Sequence, residues 1–182
     1  MHPLIAAIVV SITTLSATAT AIAVPEAPLL HSDFSFSAWV DSLIADPSTA
    51  LTPSEAIAAF NSSLTSSSSA LSKRQEFRNC NQKGSRPAKV PEAVWCINYL
   101  ADRGRKGETC DLGTQFVAKA QCTWYDAQIV SIRTRGALTG INCNEIAKAG
   151  GSIMDHCFRA DNTVAGEAHV GAVTIQLQMP LV

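Results

Sequence analysis

The chain has 182 residues, 16% of them charged, with a net charge of −1 at pH 7 and 6 cysteines. This mild charge gives no reason to expect nucleic acid as the main partner. Every cysteine follows the dibasic pair Lys73-Arg74, and none precedes it. The sequence therefore divides at that pair into a cysteine-free leader and a part that disulfides can stabilise.

Residues 1–23 have the pattern of a secretory signal peptide. An uncharged apolar run from Leu4 to Val10 is followed by Ala19, Ala21 and Ala23, the small residues typical of a signal cleavage site. Serine and threonine residues interrupt the stretch before it reaches the roughly 20 apolar residues that a membrane-spanning helix needs. We therefore expect a secreted, extracellular protein without stable membrane insertion.

Residues 24–74 are interpreted as a pro-region that ends at a Lys73-Arg74 processing site. Residues 33–45 predict an amphipathic helix, and the capping box Thr52-Pro53-Ser54-Glu55 predicts the start of a second helix. A dibasic pair after a serine-rich tail is typical of the sites that secretory convertases cut, and an exposed charged pair in a linker is the alternative. A segment with such local structure can act as a folding aid or as an inhibitor.

Two helices are predicted in the mature part, residues 75–182. The first begins at Lys89-Val90-Pro91-Glu92, with proline in its first turn, and Gly104 is expected to end it. The second runs from Asn142 to Cys157, with a cysteine near each end of its apolar face. Its Gly150-Gly151 pair costs helix stability and predicts a close crossing over a sheet or another helix.

Strands are predicted around these helices. Their expected ranges are Glu76–Cys80, Thr114–Cys122, Ala127–Thr134 and Val173–Met179. The middle two strands form a hairpin joined by Thr123 to Asp126. The order β-α-β-β-α-β predicts an α+β fold, in which an antiparallel sheet carries two helices on one face.

The six cysteines predict a disulfide framework rather than a zinc site, because no cysteines or histidines cluster at metal-ligand spacing. We expect no metal and no cofactor. One bridge should close a loop and strand unit, one should join the two helices, and the remaining cysteines form the third. The expected pairs are Cys110–Cys122, Cys96–Cys143 and Cys80–Cys157.

The mature part also carries an ordered set of motifs. They are Arg78-Asn79-Cys80-Asn81, the first helix, Glu108-Thr109-Cys110, Ala127 to Ile132, Asn142-Cys143-Asn144-Glu145 through Cys157, and Gly171 to Gln176. In this order and spacing they resemble the killer-protein-four family of small secreted fungal toxins. Members of that family carry more cysteines, and Cys96 falls inside the first helix rather than at its end.

The resemblance implies a killer-toxin-like protein or effector that binds a target-cell surface protein or channel, such as a calcium-uptake system, or a host plant protein. It implies no enzymatic activity, and we expect a monomer. A lysine shortly before the cysteine of the second strand bears on toxicity in the family. Lys119 is the nearest match, one residue further from Cys122.

Exposed charges and aromatic residues are the candidate binding groups. Basic residues can form a docking patch for an acidic target, or they can be an ordinary solvated face. Aromatic residues at a hairpin tip can serve as binding anchors, whereas Trp95 on the first helix is expected in the core. The candidates are Lys119, Arg133, Arg135, Arg105, Lys106, Trp124 and Tyr125.

No catalytic constellation is recognisable in the sequence. The mature part has two histidines, His156 and His169, and a small secreted hydrolase such as a ribonuclease is the alternative function. If the basic surface acts instead, charge reversal of two residues among Lys119, Arg133 and Arg135 should abolish activity. Replacing either histidine by alanine should then leave activity near normal.

The leader interpretation makes a direct prediction. Secretion and cleavage after Arg74 should leave Gln75 as the N-terminus, in part cyclised to pyroglutamate. Intact-mass measurement of the secreted protein checks whether the chain begins at Gln75. A product that retains residues 24–74 in the same chain would contradict the prediction.

Overall fold

The computed structural model describes residues 34–66, 79–80, 84–114, 116–134 and 141–180. The predicted signal peptide (residues 1–23), the dibasic pair and Arg135 lie outside these residues. The helices are α1 (Phe36–Ala45), α2 (Pro53–Ser66), α3 (Val90–Arg105) and α4 (Cys143–Cys157). The strands are β1 (Ala88–Lys89), β2 (Ala118–Trp124), β3 (Ala127–Arg133), β4 (Thr163–Val164), β5 (Gly166–Val170) and β6 (Val173–Gln178). No helix in the described ranges is long and apolar enough to cross a membrane.

The main sheet has four antiparallel strands in the order β2-β3-β6-β5, and β1 pairs with β4 in a second, two-stranded sheet. One row of paired residues runs across all four strands of the main sheet: Cys122, Ile129, Leu177 and Gly166. Cys122 is bonded to α3, and Gly166 packs against Cys157 of α4. Both helices therefore lie on the same face of this sheet.

Mixed helices and antiparallel sheet are confirmed, but the predicted strand order is wrong. The described part of the expected first strand contributes only a single bridge, between Asn79 and Glu167 of β5. The fourth strand of the main sheet is instead β5, which lies directly before β6 in the chain. Its sequence, Gly-Glu-Ala-His-Val, has one β-branched residue and so gives only a weak strand signal.

The two glycines inside α4 allow close packing, as the sequence predicted. A Cβ atom on Gly150 would lie 2.8 Å from Cγ1 of Ile97 on α3 and 3.6 Å from Cδ1 of Ile129 on β3. Gly104 has a similar role and does not end α3, which continues to Arg105. A side chain at Gly104 would collide with Asn142 and Asn144 at the start of α4.

Both leader helices exist and pack on the domain. Ser35 caps α1, and the predicted capping box opens α2: the Thr52 amide donates to the Glu55 carboxylate at 2.8 Å, and the Glu55 amide donates to the Thr52 hydroxyl at 3.4 Å. Helix α1 contacts α3 and α4, and α2 contacts α3. The described part of the leader thus belongs to the same core as the domain.

Three disulfides join the cysteines, and none of them is free. Cys80–Cys157 agrees with the prediction. The other two predicted pairs, Cys96–Cys143 and Cys110–Cys122, are wrong. The structure has Cys96–Cys122 and Cys110–Cys143 instead.

A β-bulge explains why Cys122 is bonded to Cys96 rather than to Cys110. Ala120 pairs with Val130, but Cys122 pairs with Ile129, so β2 has an extra residue at Gln121. The extra residue moves Cys122 to the helix-facing side of the sheet, where Cys96 lies. Cys110 is bonded to Cys143 because the segment after α3 pairs with the segment before α4. The Cys110 amide donates to the Ile141 carbonyl at 2.8 Å, which places Cys110 beside Cys143.

The corrected connectivity is testable by peptide mapping without reduction. Digestion should give linked peptides for Cys80–Cys157, Cys96–Cys122 and Cys110–Cys143. Replacing the cysteines of one bridge by alanine should lower the free energy of unfolding by roughly 2–5 kcal/mol. A peptide that links Cys96 to Cys143 in the native protein would contradict this structure.

Candidate functional site: an exposed aromatic ladder

Helix α3 presents a stripe of aromatic and basic residues. Trp95, Tyr99 and Arg103 are spaced four residues apart and share one side of the helix. The Trp95 and Tyr99 rings stack with centroids 5.4 Å apart and planes 8° from parallel. The Arg103 guanidinium lies 5.6 Å from the centre of the Tyr99 ring and also bonds the Glu108 carboxylate at 2.7 Å. The basic end of the stripe is thereby held in place.

The tip of the β2–β3 hairpin extends this stripe. Trp124, the last residue of β2, stacks on Trp95 with centroids 4.1 Å apart and planes 15° from parallel. Tyr125 meets Trp124 edge to face, with centroids 4.9 Å apart. Four rings therefore contact one another in a row, in the order Tyr99, Trp95, Trp124, Tyr125. The first three are stacked, and Tyr125 completes the row edge to face. We call this set the aromatic ladder.

Much of the ladder is open to solvent. Tyr99 is 39% exposed, Trp124 38% and Tyr125 76%. Trp95, expected in the core, is instead half-buried between two other rings. Because its ring faces are covered by neighbouring rings, the stack offers mainly ring edges to a partner.

The backbone of Tyr125 is unusual for a bulky residue. Tyr125 has φ 43°, in the left-handed region that glycine, asparagine and aspartate occupy most readily. A bulky residue there costs free energy that a common turn residue would avoid. The exposed ring is thus held on a backbone conformation that bulky residues seldom adopt.

The neighbouring residue fixes the turn to the domain. Asp126 forms an ion pair with Lys89 at 2.6 Å, and its hydrogen bond raises the pKa of the Lys89 ammonium. Lys89 directly precedes α3, so the pair joins the hairpin tip to the start of the helix that carries the other two rings.

The predicted basic residues at the C-terminal end of α3 are paired. Arg105 and Lys106 each contact the Asp102 carboxylate at 2.6 Å. The hydrogen bond from Lys106, with a further one from Arg105, holds the pKa of Asp102 below its usual range. Arg105 also lines a cavity of about 250 Å³ together with leader residues such as Leu43 and Leu51. Arg105 therefore faces the leader rather than the ladder.

Lys119 and Arg133 both contact the loop between α3 and β2. Lys119 is exposed, but its Nζ donates to the Asp111 carbonyl at 3.1 Å. Arg133 was expected to face solvent, yet it is half-buried and its guanidinium bonds the carbonyls of Gly113 and Thr114. Both side chains hold the loop between α3 and β2 against the sheet. Arg135 lies outside the described residues.

The histidines lie apart from the ladder. Nδ1 of His156 is 2.6 Å from the Ser152 carbonyl one turn earlier in α4. Nδ1 of His169 is 3.1 Å from the Thr174 hydroxyl, and His169 lines a shallow groove of about 380 Å³ with Glu145, Lys148 and Ser152. Within the described residues, no cluster of histidine, cysteine and carboxylate side chains could hold a metal ion.

Sequence reasoning named the tip residues Trp124 and Tyr125 but missed Tyr99 and Arg103 as their neighbours. The spacing of four residues from Trp95 was the available signal. Sequence reasoning also missed a second exposed apolar pair, which directly precedes β2. Phe116 is 57% exposed and Val117 is 70% exposed.

The fold and the site define a small disulfide-stabilised α+β domain with an exposed aromatic stack on its helix and hairpin. The chain belongs to the family described as Domain of unknown function (DUF8794), whose model matches residues 75–178. No curated protein and no solved structure matches the chain.

The strained turn predicts an unusual stability result. Tyr125→Asn should leave the free energy of unfolding unchanged or raise it by up to about 1 kcal/mol, because asparagine tolerates the left-handed backbone. Trp124→Ala should lower it by roughly 1–3 kcal/mol, because it removes the stack on Trp95. Urea unfolding measures both. If Tyr125→Asn destabilises the protein as much as Trp124→Ala, the ring is structural.

Proposed function

We propose that the protein is a secreted killer-toxin-like protein or effector that binds a target-cell surface protein through the aromatic ladder, without catalysing a reaction. The observation that carries the proposal is the exposed Tyr125 ring held on a left-handed backbone at the end of the aromatic ladder. Strained backbone clusters at functional sites such as ligand clamps, which supports a contact role for this ring. The target is a surface protein or channel of a susceptible cell, or a host plant protein.

Several features support secretion and processing. Disulfides persist in oxidising compartments such as the extracellular space, and the domain has three of them. The signal-like start of the sequence agrees with that environment. The family match begins at Gln75, the residue after the Lys73-Arg74 pair. Cleavage at the pair would thus release the segment that the family model describes.

The composition of the ladder supports protein binding. Tryptophan, tyrosine and arginine are the residues most enriched in binding hot spots, and the ladder joins four aromatic rings to Arg103. Stacked rings lose little conformational freedom when a partner covers them, because the stack already fixes their orientation. Such a preorganised surface suits a rigid binder.

A small hydrolase is the second candidate. The observation that favours it is the groove where His169 and Glu145 both line the wall, since a histidine and a carboxylate can act as acid and base. The Nδ1 atom of His169 contacts Thr174, which leaves Nε2 as the atom that could act. An RNA-cleavage assay on the purified protein tests this candidate directly.

Binding should depend on the ladder. Tyr125→Asn and Tyr99→Ala should each weaken binding to susceptible cells by about tenfold or more, as loss of a hot-spot residue does. Labelled protein titrated onto fungal cells and plant tissue gives the affinity. Phe116→Asn is the matched control, because it removes an exposed ring that is not part of the ladder, and it should bind normally.

The histidine variants separate the two candidate functions. His156→Ala and His169→Ala should bind and act like the unmodified protein if the ladder is the active surface. If His169→Ala is inactive while Tyr125→Asn and Tyr99→Ala keep full activity, the binding proposal fails and the hydrolase replaces it.

A further inference from the structure

The leader is built into the hydrophobic core. On α1 the side chains of Phe36, Trp39, Val40 and Leu43 are buried, and on α2 Phe60 is 1% exposed. The Phe60 ring lies 4.8 Å from the Phe36 ring and 4.8 Å from the ring of Phe158, which follows α4. A spacer would not place its large apolar side chains in this way.

The absence of a side chain at Gly151 lets the leader approach α4 closely. A Cβ atom at Gly151 would lie 3.0 Å from the carbonyl oxygen of Phe36 and 3.1 Å from Cγ2 of Val40. Both atoms belong to α1. Its neighbour Gly150 faces α3 and the sheet instead. The two adjacent glycines therefore serve different contacts, one inside the domain and one between the domain and the leader.

Asp155 of α4 supplies the polar part of the same contact. Its carboxylate accepts hydrogen bonds from the amides of Phe36 at 2.6 Å and Ser37 at 3.0 Å, in the first turn of α1. A negative charge is favourable at a helix N-terminus, where amides lack partners within the helix. A second charged contact, Lys148 to Asp41 at 3.1 Å, is largely exposed and contributes less.

We infer that the outer face of α3 and α4 is a binding surface whose occupant is the leader hairpin, residues 34–66, and that cleavage after Arg74 leaves the two pieces associated. The inference rests on the cleavage proposed above. Hydrolysis of the Arg74–Gln75 peptide bond consumes one water molecule and leaves a carboxylate and an amine. It breaks none of the contacts of Phe36, Gly151 or Asp155.

Release of the hairpin would uncover the apolar side chains that it now covers. A contiguous exposed apolar face favours association, and the hairpin already fits it. The family model covers residues 75–178 and none of the hairpin. The leader thus acts as a separate element that docks on the family domain.

The test uses the full chain with Lys73-Arg74 replaced by the recognition site of a sequence-specific protease. The purified chain is cut in vitro and examined by size-exclusion chromatography and native mass spectrometry. We expect one species with the combined mass of both pieces, and two separate species at micromolar concentration would overturn the inference. Because the cut is made in vitro, the result does not depend on whether the natural pair is processed.

Two domain variants test the contacts. In the cut protein, Gly151→Ala and Asp155→Asn should each raise the concentration at which the leader dissociates by about tenfold, measured by serial dilution. Lys148→Ala should change it by less than about threefold, because its ion pair is exposed. Gly150→Ala is the matched glycine control, because Gly150 faces α3 and the sheet. It should lower the thermal midpoint of the uncut chain, but in the cut protein it should not change the concentration at which the leader dissociates. If neither Gly151→Ala nor Asp155→Asn changes the concentration at which the leader dissociates, the inference is overturned.

Discussion

The close packing of α4 against α3 is the contact on which the rest of the structure depends. It exists because Gly150 leaves room for Ile97, and disulfides at Cys143 and Cys157 fix both ends of α4. Glycine weakens an isolated helix, so tertiary packing must offset that cost. Gly150 lets α4 approach α3 and the sheet on one side. Gly151 lets α4 approach the leader on another side. One helix thus connects all the layers of the molecule.

The aromatic ladder is a consequence of the same framework. The Cys96–Cys122 disulfide joins α3 to β2 directly beside the stack, since Cys96 follows Trp95 and Cys122 lies two residues before Trp124. This disulfide requires the bulge at Gln121, which turns Cys122 towards the helices. The Gln121 side chain in turn donates to the Cys110 carbonyl at 2.9 Å. A local irregularity in one strand therefore brings the helical and hairpin halves of the ladder into contact.

Local patterns in the sequence predicted the elements that local chemistry determines. The capping box at Thr52 and Glu55, the N-cap at Asn142 and the strand β6 all lie where the structure has them, although β6 is buried on both faces. Features that depend on register or on distant partners were not predictable in this way. The bulge reverses the side of Cys122 and so changes two disulfides, and a strand as weak as β5 is recruited by its pairing with β6. Likewise, no sequence pattern indicates that Arg133 bonds loop carbonyls rather than solvent.

Helix α3 carries residues of the ladder and residues that face the leader. Trp95, Tyr99 and Arg103 carry the ladder, whereas Asn98, Asp102 and Arg105 line the cavity shared with the leader. With the leader helices in place, Tyr99 is still 39% exposed, Trp124 38% and Tyr125 76%. A docked leader therefore leaves the ladder accessible, and a target that contacts the ladder alone can bind with the leader in place. A target that also needed Arg105 would compete with the leader for the same surface, so the effect of the leader on binding distinguishes the two modes of recognition.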